Sequence, residues 1–353
     1  MVRLFIFLYG FKYKNMDFRT YVQIPEVNFK IDHSDKIMLF GSCFSEYIGR
    51  KLQYSKFKVD INPFGILYNP MSVSSSFGRL LQKKEFTDSD LVYNNEMYHS
   101  FMHHGSFSDA DKNTCLKNIS ERYNKATDFI DNADVFLITF GTAYIYRLKT
   151  TVDNNNNEIV SNCHKFPADI FERTRLSVEE IVEEWRRLII LIKAVNPHAK
   201  FVFTVSPIRH WKDGAHENQI SKSILHLAID QLISLFGDDL QYFPAFEIMI
   251  DELRDYRFYE EDMNHPTSFA VDYIWELFSK AFFSDVTISI NREWSQIRKS
   301  INHKPLFPTS NSYRGFLKKT LSRLNDFASK YPYISCESEI YQVSSTLKSQ
   351  ALD

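Results

Sequence analysis

Glycine is scarce in this chain, at 10 of 353 residues, and cysteine is scarcer, at 4. With so little glycine, a phosphate-cradling loop would have to stand out, yet neither a P-loop nor a GxGxxG signature occurs. No nucleotide cofactor is therefore implied. Cys43, Cys115, Cys163 and Cys336 contain no CxxC pair; so few cysteines in so long a chain read as reduced thiols rather than a disulfide framework. Net charge is also nearly absent, with 42 basic against 44 acidic residues. Nothing global points to nucleic acid or an anionic membrane, which leaves small molecules, glycans or proteins as partners. Finally, no apolar run reaches transmembrane length. The nearest approach is Leu4–Phe11 after Arg3, which faintly resembles a signal peptide. Gly10 interrupts it, Lys12 and Lys14 follow, and no small-residue cleavage site is present. Met16 opens a second plausible start. Residues 1–15 are accordingly expected to be a non-native or disordered extension, and the protein to be cytoplasmic.

What is plentiful is aromatic: 31 Phe and 19 Tyr in a chain that is 44% hydrophobic, enough for a sizeable core. Lys36–Phe40 is a short apolar run ending at Gly41, and Phe44–Leu52 reads as a helix, so the chain opens with strand, tight turn, helix. A Pro/Gly/Asn-rich loop, Asn62–Pro70, leads to a helix over about Ser72–Lys83. The aromatic and His-rich stretch Asn94–Phe107, with His99, His103 and His104, is expected to be a loop over the site. Asp109–Asp131 has helical pattern. Ala133–Phe140 and Lys200–Val205 are continuous apolar runs, as parallel strands buried on both faces should be. Between them, Tyr144–Thr151 and Glu158–Cys163 read as hairpin arms around Asp153–Asn157. Ser177 and Glu180 form a capping-box pattern opening a helix over Ser177–Asn196. His216–Phe236 is a helix, Leu240–Phe243 a strand, and Pro266–Phe283 a helix with Pro in its first turn. Alternating strands and helices predict an α/β fold with a parallel sheet covered on both faces. Beyond about Ser284, helical segments at Thr287–Ser300 and Ser312–Ala328 carry Arg292, Arg298, Lys299, Arg314, Lys318, Lys319 and Arg323 with few acids. Such a basic set is read as a solvated helix face, with a docking surface for an acidic polymer or partner as the alternative.

Two motifs carry chemistry. Gly41-Ser42-Cys43-Phe44 sits at the carboxyl end of the first strand, where ligands gather in open α/β sheets. The helix N-terminus that follows stabilises anions and lowers a thiol's pKa; Ser42 and Cys43 are both candidate nucleophiles. Asp262-Met263-Asn264-His265-Pro266 lies just before the last core helix. There His265 can act as general base while Asp262 fixes its tautomer.

These motifs resemble those of the GSCFA family, a branch of the SGNH/GDSL hydrolase superfamily. The resemblance is carried by Gly41-Ser42-Cys43-Phe44-Ser45 (Ser45 standing where the family name has Ala), Asn62-Pro63-Phe64-Gly65-Ile66, Phe140-Gly141-Thr142-Ala143, Asn162-Cys163-His164-Lys165, Val205-Ser206-Pro207-Ile208-Arg209 and Asn264-His265-Pro266. It spans about Phe18–Phe283 and implies a flavodoxin-like three-layer α/β/α sandwich. The expected organisation is an appended segment at 1–15, a GSCFA/SGNH-like hydrolase domain at 16–285 and a locally basic helical extension at 286–353.

The superfamily's first block, Gly-Asp-Ser-Leu, sets Ser42 under Asp and Cys43 under the Ser nucleophile. This register favours Cys43, with Ser42 serving if the turn shifts by one residue. Cys43 N–H and Gly65 N–H are the implied oxyanion donors. The third block's Asn is replaced by Ala143, so Thr142, Asn162 or His164 must stand in if the hole is complete. Asp262 and His265 match the last block. Gly141, His164 and Arg209 are candidate substrate contacts, Arg209 through bidentate recognition of a carboxylate or phosphate or else held in an internal salt bridge.

The function so implied is an esterase or acyltransferase acting on O-acyl groups, with a glycan or glycolipid as the acyl carrier, through a covalent acyl-enzyme. Two alternatives follow from the same residues. One is a non-catalytic carbohydrate-binding or scaffold protein. The other is a metal-dependent hydrolase that would use Cys43, Cys163, His164 and His265, although their spacing matches no zinc motif.

Overall fold

The computed structural model describes residues 19–149 and 158–349. The extension expected at residues 1–15 and the hairpin tip at Asp153–Asn157 lie outside the described residues. The first half of the chain runs β1 (Lys36–Gly41), α1 (Cys43–Tyr54), β2 (Lys58–Ile61), α2 (Pro70–Leu81), β3 (Val92–Asn94), β4 (Met97–His99) and α3 (Lys112–Ile130). Then follow β5 (Val135–Phe140), β6 (Tyr144–Leu148), β7 (Ile159–Val160), β8 (Phe171–Arg175), α4 (Val178–Val195), β9 (Lys200–Val205), α5 (Gly214–Phe236), β10 (Leu240–Tyr242), the single turn α6 (Ala245–Glu247) and α7 (Ser268–Phe282). Three helices close the described chain: α8 (Asp285–Ile301), α9 (Asn311–Lys330) and α10 (Glu337–Ser349).

Five strands form one sheet in the order β10-β9-β5-β1-β2, and every pairing is parallel. This is the flavodoxin-like order, and its reversal lies between β1 and β5, where the crevice for a ligand opens at the strands' carboxyl ends. The apolar runs explain the sheet. All six residues of β5 are buried, and alternate side chains point to opposite faces. Ile37 and Leu39 pack with Ile48, Leu52, Ile274 and Phe278 of α1 and α7. Met38 and Phe40 pack with Phe77, Ile119, Trp185 and Leu225 of α2, α3, α4 and α5. The result is the expected three-layer sandwich.

Local signals account for most helix starts. Ser177 Oγ accepts from Glu180 N–H and Glu180 returns a bond to Ser177 N–H, so the capping box is formed. Asn69 Oδ1 accepts from Ser72 N–H at 2.8 Å ahead of Pro70, the first residue of α2. One boundary differs from the sequence expectation. Helix α7 starts at Ser268 under a Thr267 cap, while Pro266 stays extended because it bridges to Tyr259.

Strand β2, the β3–β4 hairpin and strand β8 escaped the sequence reading. Strand β2 is a short edge strand whose KVDI pattern holds one buried residue. The β3–β4 hairpin occupies part of the expected Asn94–Phe107 loop. Strand β8, FERTR, buries only Phe171 and owes its form to pairing with β6. Helix α10 buries only Val343.

The last three helices enclose their own apolar cluster, which includes Trp294, Leu317, Leu324, Phe327 and Val343. They are tied to α1, where Tyr54 O accepts from Trp294 Nε1 at 2.9 Å and from Arg298 Nη1 at 2.8 Å. Lys56 adds an ion pair to Glu339 at 2.5 Å. Arg298, one of the basic set, is thus part of the joint. Among the described residues no helix is long and apolar enough to cross a membrane.

Candidate active site

The crevice begins where β1 ends. Gly41 has φ +140°, and a Cβ there would lie 2.3 Å from Thr139 O, so only glycine lets β1 turn beside β5. Gly41 N–H donates to Asn62 Oδ1 at 3.0 Å and Gly41 O accepts from Leu67 N–H at 3.0 Å. These bonds stitch the Asn62–Leu67 loop to the strand end.

Ser42 and Cys43 then part company. Ser42 is buried and caps α1, accepting from Phe44 N–H at 3.3 Å while donating to the buried Ser206 Oγ at 3.0 Å. Cys43 is the first residue of α1 and is half-buried. The sequence expects the helix N-terminus to lower this thiol's pKa, and burial acts in the opposite sense. Burial pushes the thiol up, outweighing the Tyr68 hydroxyl and the residue's own N–H, which both favour the thiolate. Tyr68 is raised to about 12 by burial and by Cys43, so its hydroxyl remains a donor at neutral pH.

Asp262 and His265 are joined as expected. His265 Nδ1 and Asp262 Oδ2 are 2.5 Å apart, and Asp262 Oδ1 accepts from the backbone N–H groups of Asn264 and His265 at 2.9 Å each. These bonds, His265's first, hold the Asp262 carboxyl down at about 2. The dyad's loop touches the rest of the crevice at two points. Asn264 Oδ1 accepts from Arg209 N–H at 3.2 Å, three residues beyond Ser206. Glu260, whose N–H donates to His265 O at 2.8 Å within the loop, lines a groove together with Tyr47, one turn along α1 from Cys43. This groove of about 230 Å³ is also lined by Tyr54, Pro266 and Val271. Among the described residues no hydrogen bond joins Ser42 or Cys43 to His265.

Beneath the crevice lies a residue that sequence reasoning missed. Lys222 of α5 is fully buried, and its ammonium donates to the carbonyls of Gly141 at 2.7 Å, Ser206 at 2.7 Å and Ile208 at 2.9 Å. It therefore fastens the loop after β5 to the loop after β9. Burial pulls it down to about 7, with Arg209 adding to the effect, whereas three carbonyl acceptors favour the protonated amine. His210, edge-on to Tyr68 with centroids 5.3 Å apart, is held near 4 by burial and by Lys222 and is a neutral imidazole at pH 7. A lysine inside a long amphipathic helix looks solvent-facing in sequence, and only the fold reveals its inward direction.

Several proposed oxyanion and substrate residues are committed elsewhere. Gly65 N–H donates to Asn62 O at 2.8 Å, closing a turn; φ +77° and a Cβ that would meet His104 at 2.4 Å explain the glycine. Gly141 N–H and Thr142 N–H both bond Tyr68 O, at 2.7 and 2.9 Å. The Thr142 hydroxyl lies 3.1 Å from Ser221 Oγ and accepts from Tyr144 N–H. Asn162 Oδ1 accepts from His164 N–H at 3.0 Å. The His164 ring bonds Ser100 O at 2.9 Å and stacks on His99 at 4.4 Å. His103 is buried, held near 3, and stacked on Phe64. His99 and His164 thus lock the Asn94–Phe107 segment to the loop after β7, while His103 packs it against Phe64. Arg209 makes no ion pair among the described residues.

The metal alternative also fails on geometry: among the described residues no group of three or more His, Cys, Asp or Glu is arranged to hold an ion. Cys43, Cys163, His164 and His265 do not form one, and burial pushes the Cys163 thiol up to about 11.

The GSCFA family model matches residues 36–278, which is more than half of the chain and contains every element of the crevice. The chain belongs to the GSCFA family. A second model, the C-terminal domain of GSCFA domain proteins, matches residues 294–349, within α8 to α10. No curated protein matches. Among solved structures, the family 3 carbohydrate esterase of Clostridium thermocellum is similar at 11% identity and TM-score 0.32, over 73% of this chain and 97% of that one. A carbohydrate esterase family 3 from Talaromyces cellulolyticus is similar at 11% identity and TM-score 0.31, over 73% and 99%. At these values the likeness carries no argument about activity.

Proposed function

We propose that this GSCFA-family protein is an esterase or acyltransferase acting on O-acyl groups of a glycan or glycolipid, with Cys43 as nucleophile. One observation carries the reading: a formed Asp262–His265 pair borders the crevice in which Cys43 is half-exposed and Ser42 is buried and doubly bonded. Because burial keeps the Cys43 thiol protonated at neutral pH, attack needs a base at the moment of reaction. His265 takes that proton on Nε2 as Sγ adds to the acyl carbonyl, while Asp262 holds Nδ1–H and steadies the imidazolium. Collapse expels the alkoxide, which His265 protonates, and leaves a thioester on Cys43. Water or a sugar hydroxyl then accepts the acyl group by the reverse sequence. The Cys43–His265 contact closes when substrate is bound, since catalytic bonds are often open in the free enzyme.

With the Gly65 and Thr142 donors engaged, the oxyanion falls to Cys43 N–H at the start of α1 and to the Tyr68 hydroxyl. A preorganised donor of this kind is worth about 10²–10³ in rate. A non-catalytic carbohydrate-binding protein on the same fold is the second reading, favoured by those same engaged donors. Turnover of short-chain p-nitrophenyl esters separates the two. The enzymatic reading expects hydrolysis that is lost in Cys43→Ala and His265→Ala but kept in Ser42→Ala. Absence of turnover with an inert Cys43 would leave the binding reading standing.

A further inference from the structure

We propose that Arg209 and Trp211 form a sugar subsite for a carboxylate-bearing residue, so that the glycan acted on is acidic. The idea rests on the acyl-ester reading only in taking the crevice as the active site. Arg209 follows Ser206-Pro207-Ile208 at the carboxyl end of β9, and its backbone N–H is fixed by Asn264, the neighbour of His265. Arg209 is half-buried, and its guanidinium makes neither an ion pair nor a hydrogen bond among the described residues. It lies 5.8 Å from the centroid of the Trp211 ring. Trp211 is itself 52% exposed, so an apolar ring face stands open beside an unpaired cation.

The neighbouring charges sharpen the assignment. Arg173 is committed to Asp213, and Arg175 to Glu217 at 2.6 Å. Lys212, next to Trp211, bonds the Tyr146 hydroxyl at 3.0 Å and has no carboxylate partner among the described residues. Lys222 adds a third cation beneath Arg209. Arg173 and Arg175 are thus neutralised, whereas among the described residues Arg209 and Lys212, which flank Trp211, have no carboxylate. A guanidinium without acceptors leaves five N–H donors in a planar fork, which a carboxylate satisfies in bidentate fashion. The exposed indole offers the face on which the C–H side of a sugar ring packs. The Arg209 backbone is fastened to the loop of His265 through Asn264, so an acidic sugar held by this residue lies on the same side of the crevice as the acyl group to be cleaved.

The test separates this proposal from the catalytic one by reading binding rather than turnover. Cys43→Ala protein is titrated with tetragalacturonate, with fully methyl-esterified tetragalacturonate and with galactose 6-phosphate, following heat and tryptophan fluorescence. The free acid is expected to bind roughly tenfold to a hundredfold more tightly than its uncharged ester, the range of a charge-assisted bond. Arg209→Gln is expected to erase that preference while leaving the ester's affinity unchanged. Arg209→Lys is expected to restore part of it, and Trp211→Ala to weaken both oligosaccharides. Equal binding of acid and ester, no binding of either, or a preference that survives Arg209→Gln would overturn the proposal. Tighter binding of the sugar phosphate would overturn the carboxylate assignment in favour of a phosphorylated sugar. Wild-type protein that shows the acid preference but hydrolyses no ester would sink the acyl-transfer reading alone.

Discussion

The Ser42 hydroxyl donates to Ser206 Oγ across 3.0 Å of buried space, tying the end of β1 to the end of β9 over the intervening β5. Aligned glycines favour Cys43 as nucleophile, with Ser42 serving if the turn shifts by one residue; this bond gives Ser42 a structural occupation. Ser42→Ala removes both a helix cap and a buried hydrogen bond, and is expected to lower stability by about 1–3 kcal/mol while retaining most ester turnover. Urea unfolding and p-nitrophenyl acetate hydrolysis on the same preparation check both halves.

Lys222→Met keeps the side chain's length but leaves the carbonyls of Gly141, Ser206 and Ile208 without their shared donor. A loss of about 3 kcal/mol is expected for unpaired buried acceptors. Ester turnover is expected to fall as well, because the loops after β5 and β9 lose their common anchor. A variant as stable and as active as wild type would show that the ammonium does not organise the crevice.

Cys43 titrates above the ordinary thiol range because burial penalises its thiolate. In the free protein the reactive fraction is therefore small at pH 7, and it grows as pH rises through 9 and beyond. Iodoacetamide is expected to label Cys43 more slowly than a free thiol at pH 7, with a rate still climbing where a free thiol has levelled off. Tyr68→Phe removes a contact that favours the thiolate, so labelling at fixed pH should slow further. The same variant is expected to lose about 10²-fold in ester turnover through the missing oxyanion donor.

Gly41→Ala places a Cβ 2.3 Å from Thr139 O on a backbone with φ +140°. Neither backbone can yield without disturbing the β1–β5 pairing. Destabilisation of about 3 kcal/mol or more is expected, read by thermal unfolding.

Much of the fold was legible because its core strands are unbroken apolar runs. KFVFTV reads as a buried parallel strand in any context, and the structure places β9 at those residues. Ser177 and Glu180 announce their helix by a reciprocal bond that needs only local sequence. FERTR carries no such signal, since β8 is held by its partner β6 rather than by its own pattern. In the site, Asp262 and His265 were readable because three residues of one turn bring them together. Lys222 and Tyr68 were not, because their importance comes from carbonyls and a thiol far away in sequence. The Gly65 donor was misread for a related reason: a family position identifies a residue, but only geometry shows that its N–H already closes a turn onto Asn62 O.

The central claim is a covalent acyl group on Cys43, and acid quenching of the protein during turnover of p-nitrophenyl acetate tests it directly. Peptide mapping by mass spectrometry should find acetyl, labile to hydroxylamine as a thioester is, on the peptide that spans Cys43. The adduct should be absent from Cys43→Ala and present in Ser42→Ala. Acetyl found on Ser42, or turnover with no acylated Cys43 at any quench time, would contradict the account.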